Sequence, residues 1–189
     1  MSKYVGHSRS FTPVISLSDH CLLTYQHGDH DSWVLGDTEE VMVNHEDASK
    51  RIPVQAVVRW VCKPQDFVLL ETKSGVLDFP SVDVECCPGR PYLLIGTSAR
   101  SQSDPISSRH GSILSTKVDE HGYIRGDTSS VAGDSGGGCF SLDSKSLFAM
   151  NVATTSEGSV LLPIAVPYAA ACNLGLAQAP PASWQELSI

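Results

Sequence analysis

The sequence predicts an all-β fold, a sandwich or a barrel, in two halves of similar size. Three observations predict it. Short apolar runs recur roughly every ten residues, with Gly, Pro, Asp and Ser between them, the punctuation of antiparallel strands. No long stretch carries the 3.6-residue apolar repeat of an amphipathic helix. The proline-bearing segment 81–91 includes Gly89 and lacks a long apolar run, which marks a connector between residues 11–80 and residues 92–174.

In the first half, residues 14–17 and 21–25 are apolar runs split by the polar turn Ser18-Asp19-His20. His27-Gly28-Asp29 reads as a turn. Residues 32–35 and 40–43 read as strands divided by Gly36-Asp37. Residues 54–61 are β-branched and apolar, Lys63-Pro64-Gln65 turns the chain, and 67–70 is a fully apolar strand. The second half repeats the pattern at 92–95, 110–116, 122–125, 138–141, 147–152 and 159–166. A short helix is expected at 168–176, where alanines cluster. Residues 175–189, with Pro180-Pro181, read as an exposed tail.

Composition narrows the function. With 41% hydrophobic and 18% charged residues among 189, the chain can bury a core. A net charge of −8, with the 13 Lys and Arg scattered, argues against nucleic acid as a partner. No apolar run is long enough to cross a bilayer. The polar start has no signal-peptide core, so an intracellular setting and reduced thiols are expected for the six cysteines. No Cys/His spacing fits a zinc site, and neither metal nor cofactor is expected.

The chemistry concentrates in Gly133-Asp134-Ser135-Gly136-Gly137-Gly138. Glycine at 133 permits a bend that side chains forbid. That bend can gather the N–H groups of Gly133, Asp134 and Ser135 into an anion-binding concavity beside an exposed hydroxyl. Serine is a weak nucleophile without a base, so a histidine and an acid are required. Of seven histidines, His45 ends the apolar run Val41-Met42-Val43-Asn44 and is the expected base. His20 is the rival, but little sequence precedes it to build supporting strands. Asp66 opens the apolar run Phe67-Val68-Leu69-Leu70 after a turn, and is the expected acid that orients the imidazole.

The order His45, Asp66, Ser135 with Gly-Asp-Ser-Gly-Gly at the serine resembles the chymotrypsin/trypsin-like serine proteases, whose triad uses these three residue types in these roles. The short-loop members are most similar: HtrA-type proteases and the polyprotein-processing proteases of positive-strand RNA viruses. Asp66-Phe67-Val68-Leu69-Leu70 resembles that family's strand after the aspartate, and Pro88 to Gly96 its strand opening the second barrel. Phe148 to Ala153 resembles its substrate-pairing strand, and Pro163 to Pro167 its closing strand. The resemblance covers about residues 11–174. Gly138 replaces the family's proline, and Glu46 follows the histidine.

The resemblance implies two six-stranded antiparallel β-barrels with the active site in the cleft between them. It implies a serine endopeptidase acting on polypeptide through an acyl-enzyme. Viral polyprotein processing is the favoured role, with a cellular HtrA-like protease as the alternative. It also implies that Thr128, Ser129, Ser130, Asn151, Val152 and Ala153 contact substrate. No carboxylate occupies the trypsin-like pocket position, so cleavage after Lys or Arg is not expected. A polar uncharged pocket and a small aliphatic one are both compatible. Activation by N-terminal cleavage is not expected, since no hydrophobic new N-terminus is evident near the start. Two rivals are an inactive protease-like peptide-binding module and a β-rich interaction domain. No cysteine sits in a nucleophile turn, which argues against a cysteine hydrolase.

Overall fold

The computed structural model describes residues 1–73, 77–98 and 106–179. Among the described residues, twelve strands form two closed barrels, each of six antiparallel strands. The first comprises β1 (Val5–Ser8), β2 (Pro13–Ser16), β3 (Cys21–Thr24), β4 (Thr38–Val43), β5 (Ile52–Cys62) and β6 (Phe67–Thr72). Its order is β1-β2-β3-β6-β5-β4. The second comprises β7 (Pro91–Gly96), β8 (Ser107–Ser115), β9 (Ile124–Gly126), β10 (Gly138–Ser141), β11 (Leu147–Thr155) and β12 (Gly158–Pro163). Its order is β10-β11-β12-β9-β8-β7. Helix α1 (Ala165–Asn173) follows, with Pro167 in its first turn, where a missing N–H costs nothing, and Gly175 at φ +71° just beyond its end.

Alternation along the strands distributes the core. Leu22, Val68 and Leu70 join Val14, Val41, Val43, Ala56 and Val58 in one cluster, inside the first barrel. Their neighbours Cys21, Leu23, Phe67 and Leu69 face the other way. They pack with Ile95, Phe140, Met150, Val152 and Leu162 of the second barrel. Strands β3 and β6 are therefore buried on both faces, which is why their sequences are unbroken apolar runs. Tyr92, Leu94, Ile113, Ile124, Cys139, Phe148 and Leu161 fill the second barrel.

Several local expectations need correction. The first barrel begins at Val5, ahead of residue 11, because β1 pairs with both β2 and β4. Gly6 makes the latter approach possible, since a Cβ there would run into the Met42 carbonyl. Residues 32–35 form turns and not a strand, and leave Val34 and Leu35 exposed. The last predicted strand, 159–166, ends at Pro163, and the helix starts three residues earlier than expected. The expected tail is anchored at its start: Leu176 is buried, and its carbonyl accepts from Ser18 Oγ at 2.6 Å. Residues 180–189 lie outside the described residues.

Candidate active site

Asp66 sits in the β5–β6 turn with φ +55°, a left-handed conformation that aspartate tolerates better than most residues. This conformation directs its carboxylate across to the residues that follow β3. One oxygen accepts from the backbone N–H groups of Gln26 (3.0 Å) and His27 (2.9 Å). The other bonds His27 Nδ1 at 2.6 Å. The acid's partner is therefore His27.

The expected base, His45, does not meet Asp66. It follows β4, which pairs Val43 with Ile52 at the start of β5, whereas Asp66 precedes Phe67, which pairs with Cys62 at the end of β5. The 11 residues of β5 set these points about 30 Å apart along the strand. His45 Nδ1 instead accepts the Asp47 N–H at 2.9 Å. The rival His20 lies at the opposite end of β3 from His27 and bonds Asp19 at 2.5 Å.

His27 keeps a half-exposed side chain while Asp66 is largely covered. The hydrogen bond to Asp66 is the main cause that raises the His27 pKa above its ordinary value, burial opposing it. The loop carrying His27 is braced by aromatic rings. Tyr25 lies 4.4 Å from His27 and 4.6 Å from His30, and His30 stacks on Trp33 at 3.9 Å. His30 Nδ1 donates to Tyr25 O (2.7 Å), which leaves Nε2 to accept from Thr12 Oγ1 (3.0 Å). Burial lowers the His30 pKa, so this imidazole is a neutral structural group.

The Ser135 turn comes from the second barrel and lies against the end of β3. Gly133 and Gly136 have φ +99° and +82°. A Cβ on Gly136 would stand 2.7 Å from Tyr25 Cδ1, 2.8 Å from Pro13 O and 3.1 Å from Thr24 Oγ1. Glycine thus lets the nucleophile turn approach the strand that leads into His27. Gly136→Ala is expected to destabilise the fold by about 1–3 kcal/mol from backbone strain alone. The clash adds to this, and a drop in the thermal midpoint checks it.

The predicted anion nest is narrower than expected. Asp134 N–H donates to Val131 O at 2.9 Å and is not available. Gly133 and Ser135 N–H donate to no acceptor among the described residues. The Gly133 carbonyl accepts from Thr97 N–H and Oγ1, each at 3.1 Å, which fixes the entry to the turn.

Of the expected substrate contacts, Ser129 is exposed, Ala153 is partly exposed, and Thr128, Ser130, Asn151 and Val152 are buried. Two side chains that sequence reasoning missed stitch this region together. Ser130 and Thr154 hydroxyls bond each other, and Ser159 Oγ donates to Thr128 O at 2.5 Å and Ser130 Oγ at 3.3 Å. Thr154 and Ser159 become neighbours only through β11–β12 pairing, a register invisible in the local sequence. Asn151 does not present its amine to a pocket: Nδ2 donates to Asp134 O at 3.0 Å. Cys139 is fully buried and burial pushes its thiol well up, so it supplies no nucleophilic thiolate.

The structure thus sets the Ser135 turn, with two uncommitted backbone donors, against the end of β3, and the imidazole that follows β3 is oriented by a carboxylate. No family model matches the chain, and no curated protein matches its sequence. Among solved structures, the serine endoprotease from Yersinia pestis matches with a TM-score of 0.71 and 19% identity. The match covers 93% of this chain and 63% of that one, so this chain spans less than two thirds of that protein's length. Together with two closed six-stranded barrels, the likeness identifies the fold as chymotrypsin-like.

Proposed function

We propose that the chain is a serine endopeptidase with Ser135 as nucleophile, His27 as general base and Asp66 as the acid that orients it. The observation that carries this is the 2.6 Å bond between His27 Nδ1 and Asp66, in a loop that follows directly from the strand touching the Ser135 turn. With Nδ1 donating to Asp66, Nε2 is left to accept the Ser135 proton as the hydroxyl attacks a peptide carbonyl. The Gly133 and Ser135 N–H groups take the oxyanion. His27 then protonates the leaving amine, and water releases the acyl group by the same route.

Labelling with a fluorophosphonate tests the reading. Modification of Ser135 in the wild type, absent from Ser135→Ala, supports it. Folded wild-type protein that resists the probe points to an inactive peptide-binding module.

The Ser130 hydroxyl bonds those of Thr154 and Ser159 along the candidate pocket wall, and these groups bring no carboxylate to it. The expected preference at the cleaved bond is a small uncharged residue. A peptide library dominated by Arg or Lys at that position would contradict it. The polyprotein-processing role belongs to the same proposal. Cleavage of denatured cellular proteins at a few sequence-defined sites supports it, and unrestricted digestion excludes it.

A further inference from the structure

The turn bearing Ser135 is gripped at Asp134 from two sides. Asp134 is 1% exposed. One carboxylate oxygen accepts from Arg109 Nε and Val131 N–H, each at 3.0 Å, and the other from Ser107 Oγ at 3.2 Å. Ser107 and Arg109 are two apart on β8 and so share a face. Ser98 Oγ links them, donating to Ser107 Oγ at 2.7 Å and accepting from Arg109 Nη2 at 3.4 Å. Gly96 makes room for the carboxylate, because a Cβ there would stand 2.6 Å from Asp134 Oδ1.

The second grip is on the backbone. Asp134 O accepts from Asn151 Nδ2 and from Gly137 N–H, each at 3.0 Å. In a trans peptide, C=O and N–H point opposite ways. Drawing Asp134 O toward Asn151 therefore turns the Ser135 N–H the other way, where it has no acceptor among the described residues. Asn151 is 1% exposed and its Oδ1 is buried with no partner among the described residues. A buried amide oxygen left unpaired costs stability that an apolar side chain of similar shape would not. What asparagine uniquely supplies here is the Nδ2 donor.

Resting on the peptidase reading above, we propose that Arg109 and Asn151 are positioning residues. They fix Asp134 so that the Gly133 and Ser135 donors stand ready for the oxyanion. Neither touches the reacting atoms.

The test compares Asn151→Leu, Arg109→Met and Arg109→Lys with wild type. Fluorophosphonate labelling is measured against probe concentration, beside thermal melting. Asn151→Leu is expected to melt no lower than wild type, yet to lose about 10²-fold in maximal labelling rate, the scale of one lost oxyanion donor. Its half-saturating probe concentration stays unchanged. Arg109→Met falls likewise, and Arg109→Lys recovers part of the rate. If Arg109→Met does not fold, Asn151→Leu decides alone. A labelling wild type with Asn151→Leu at the same maximal rate overturns this proposal and leaves the peptidase reading intact. A folded wild type that never labels overturns both.

Discussion

His27→Ala is expected to abolish fluorophosphonate labelling of Ser135, while His45→Ala is expected to label as wild type does. The expected loss in peptide turnover is about 10⁶-fold, the scale seen when either the nucleophile or the base is removed from a working triad. The reason is geometric. His27 is the imidazole bonded to Asp66, and it follows the strand end against which Gly136 packs. His45 is joined to its own loop through Asp47, at the far end of β5. Because His45 is partly exposed and, among the described residues, bonds only its own loop, its loss should also leave the unfolding free energy within about 0.5 kcal/mol of wild type. Labelling that survives His27→Ala but not His45→Ala would refute the assignment.

The confusion between these two histidines shows what a sequence does and does not carry. Both stand just past an apolar run: 21–25 leads to His27, and 41–43 leads to His45. Gly28-Asp29 after His27 reads as a turn, and a turn is where a histidine looks unremarkable. The distinction lies in pairing. β3 pairs with β6, whose first residue follows Asp66, so the end of β3 arrives beside the acid. β4 pairs with β1 and β5 and ends elsewhere. One local signal points the right way: β3 and β6, together with β2, carry apolar residues on both faces, as strands between two cores must.

Other features divide along the same line. Asp66, the Ser135 turn and most strands are legible because each is written in adjacent residues. β1 is not, since Val5-Gly6-His7-Ser8 has one large apolar side chain and takes its place through pairing with β2 and β4. Val34 and Leu35 look like strand residues but remain exposed beside Trp60, so hydrophobicity misleads there. Arg109 and Asn151 reach Asp134 across 25 and 17 residues of sequence, and nothing local announces either bond.

Asp66→Asn should reduce labelling and peptide turnover by about 10⁴-fold, the effect of the equivalent change in a chymotrypsin-type triad, and should also move the pH profile. The amide can keep the shape of the carboxylate and still accept the Gln26 and His27 N–H groups. What it loses is the charge, and its NH₂ group can donate to Nδ1. That bond favours the tautomer with the proton on Nε2, which cannot take the Ser135 proton. The direction of the pH shift follows from the same interaction. In wild type, Asp66 stabilises the imidazolium and raises the His27 pKa. Protonated His27 is no base, so the rate should climb with pH through an inflection above the ordinary histidine value of about 6.5. Without the carboxylate, the imidazolium loses its main support while burial still disfavours it. The inflection in Asp66→Asn should then fall below the wild-type one, even as the plateau drops. Labelling rates across the neutral range, from mildly acidic to mildly alkaline buffer, give both quantities for each protein. A mutant inflection equal to the wild-type value would mean that Asp66 does not set the protonation of the base, and its role in the triad would have to be abandoned.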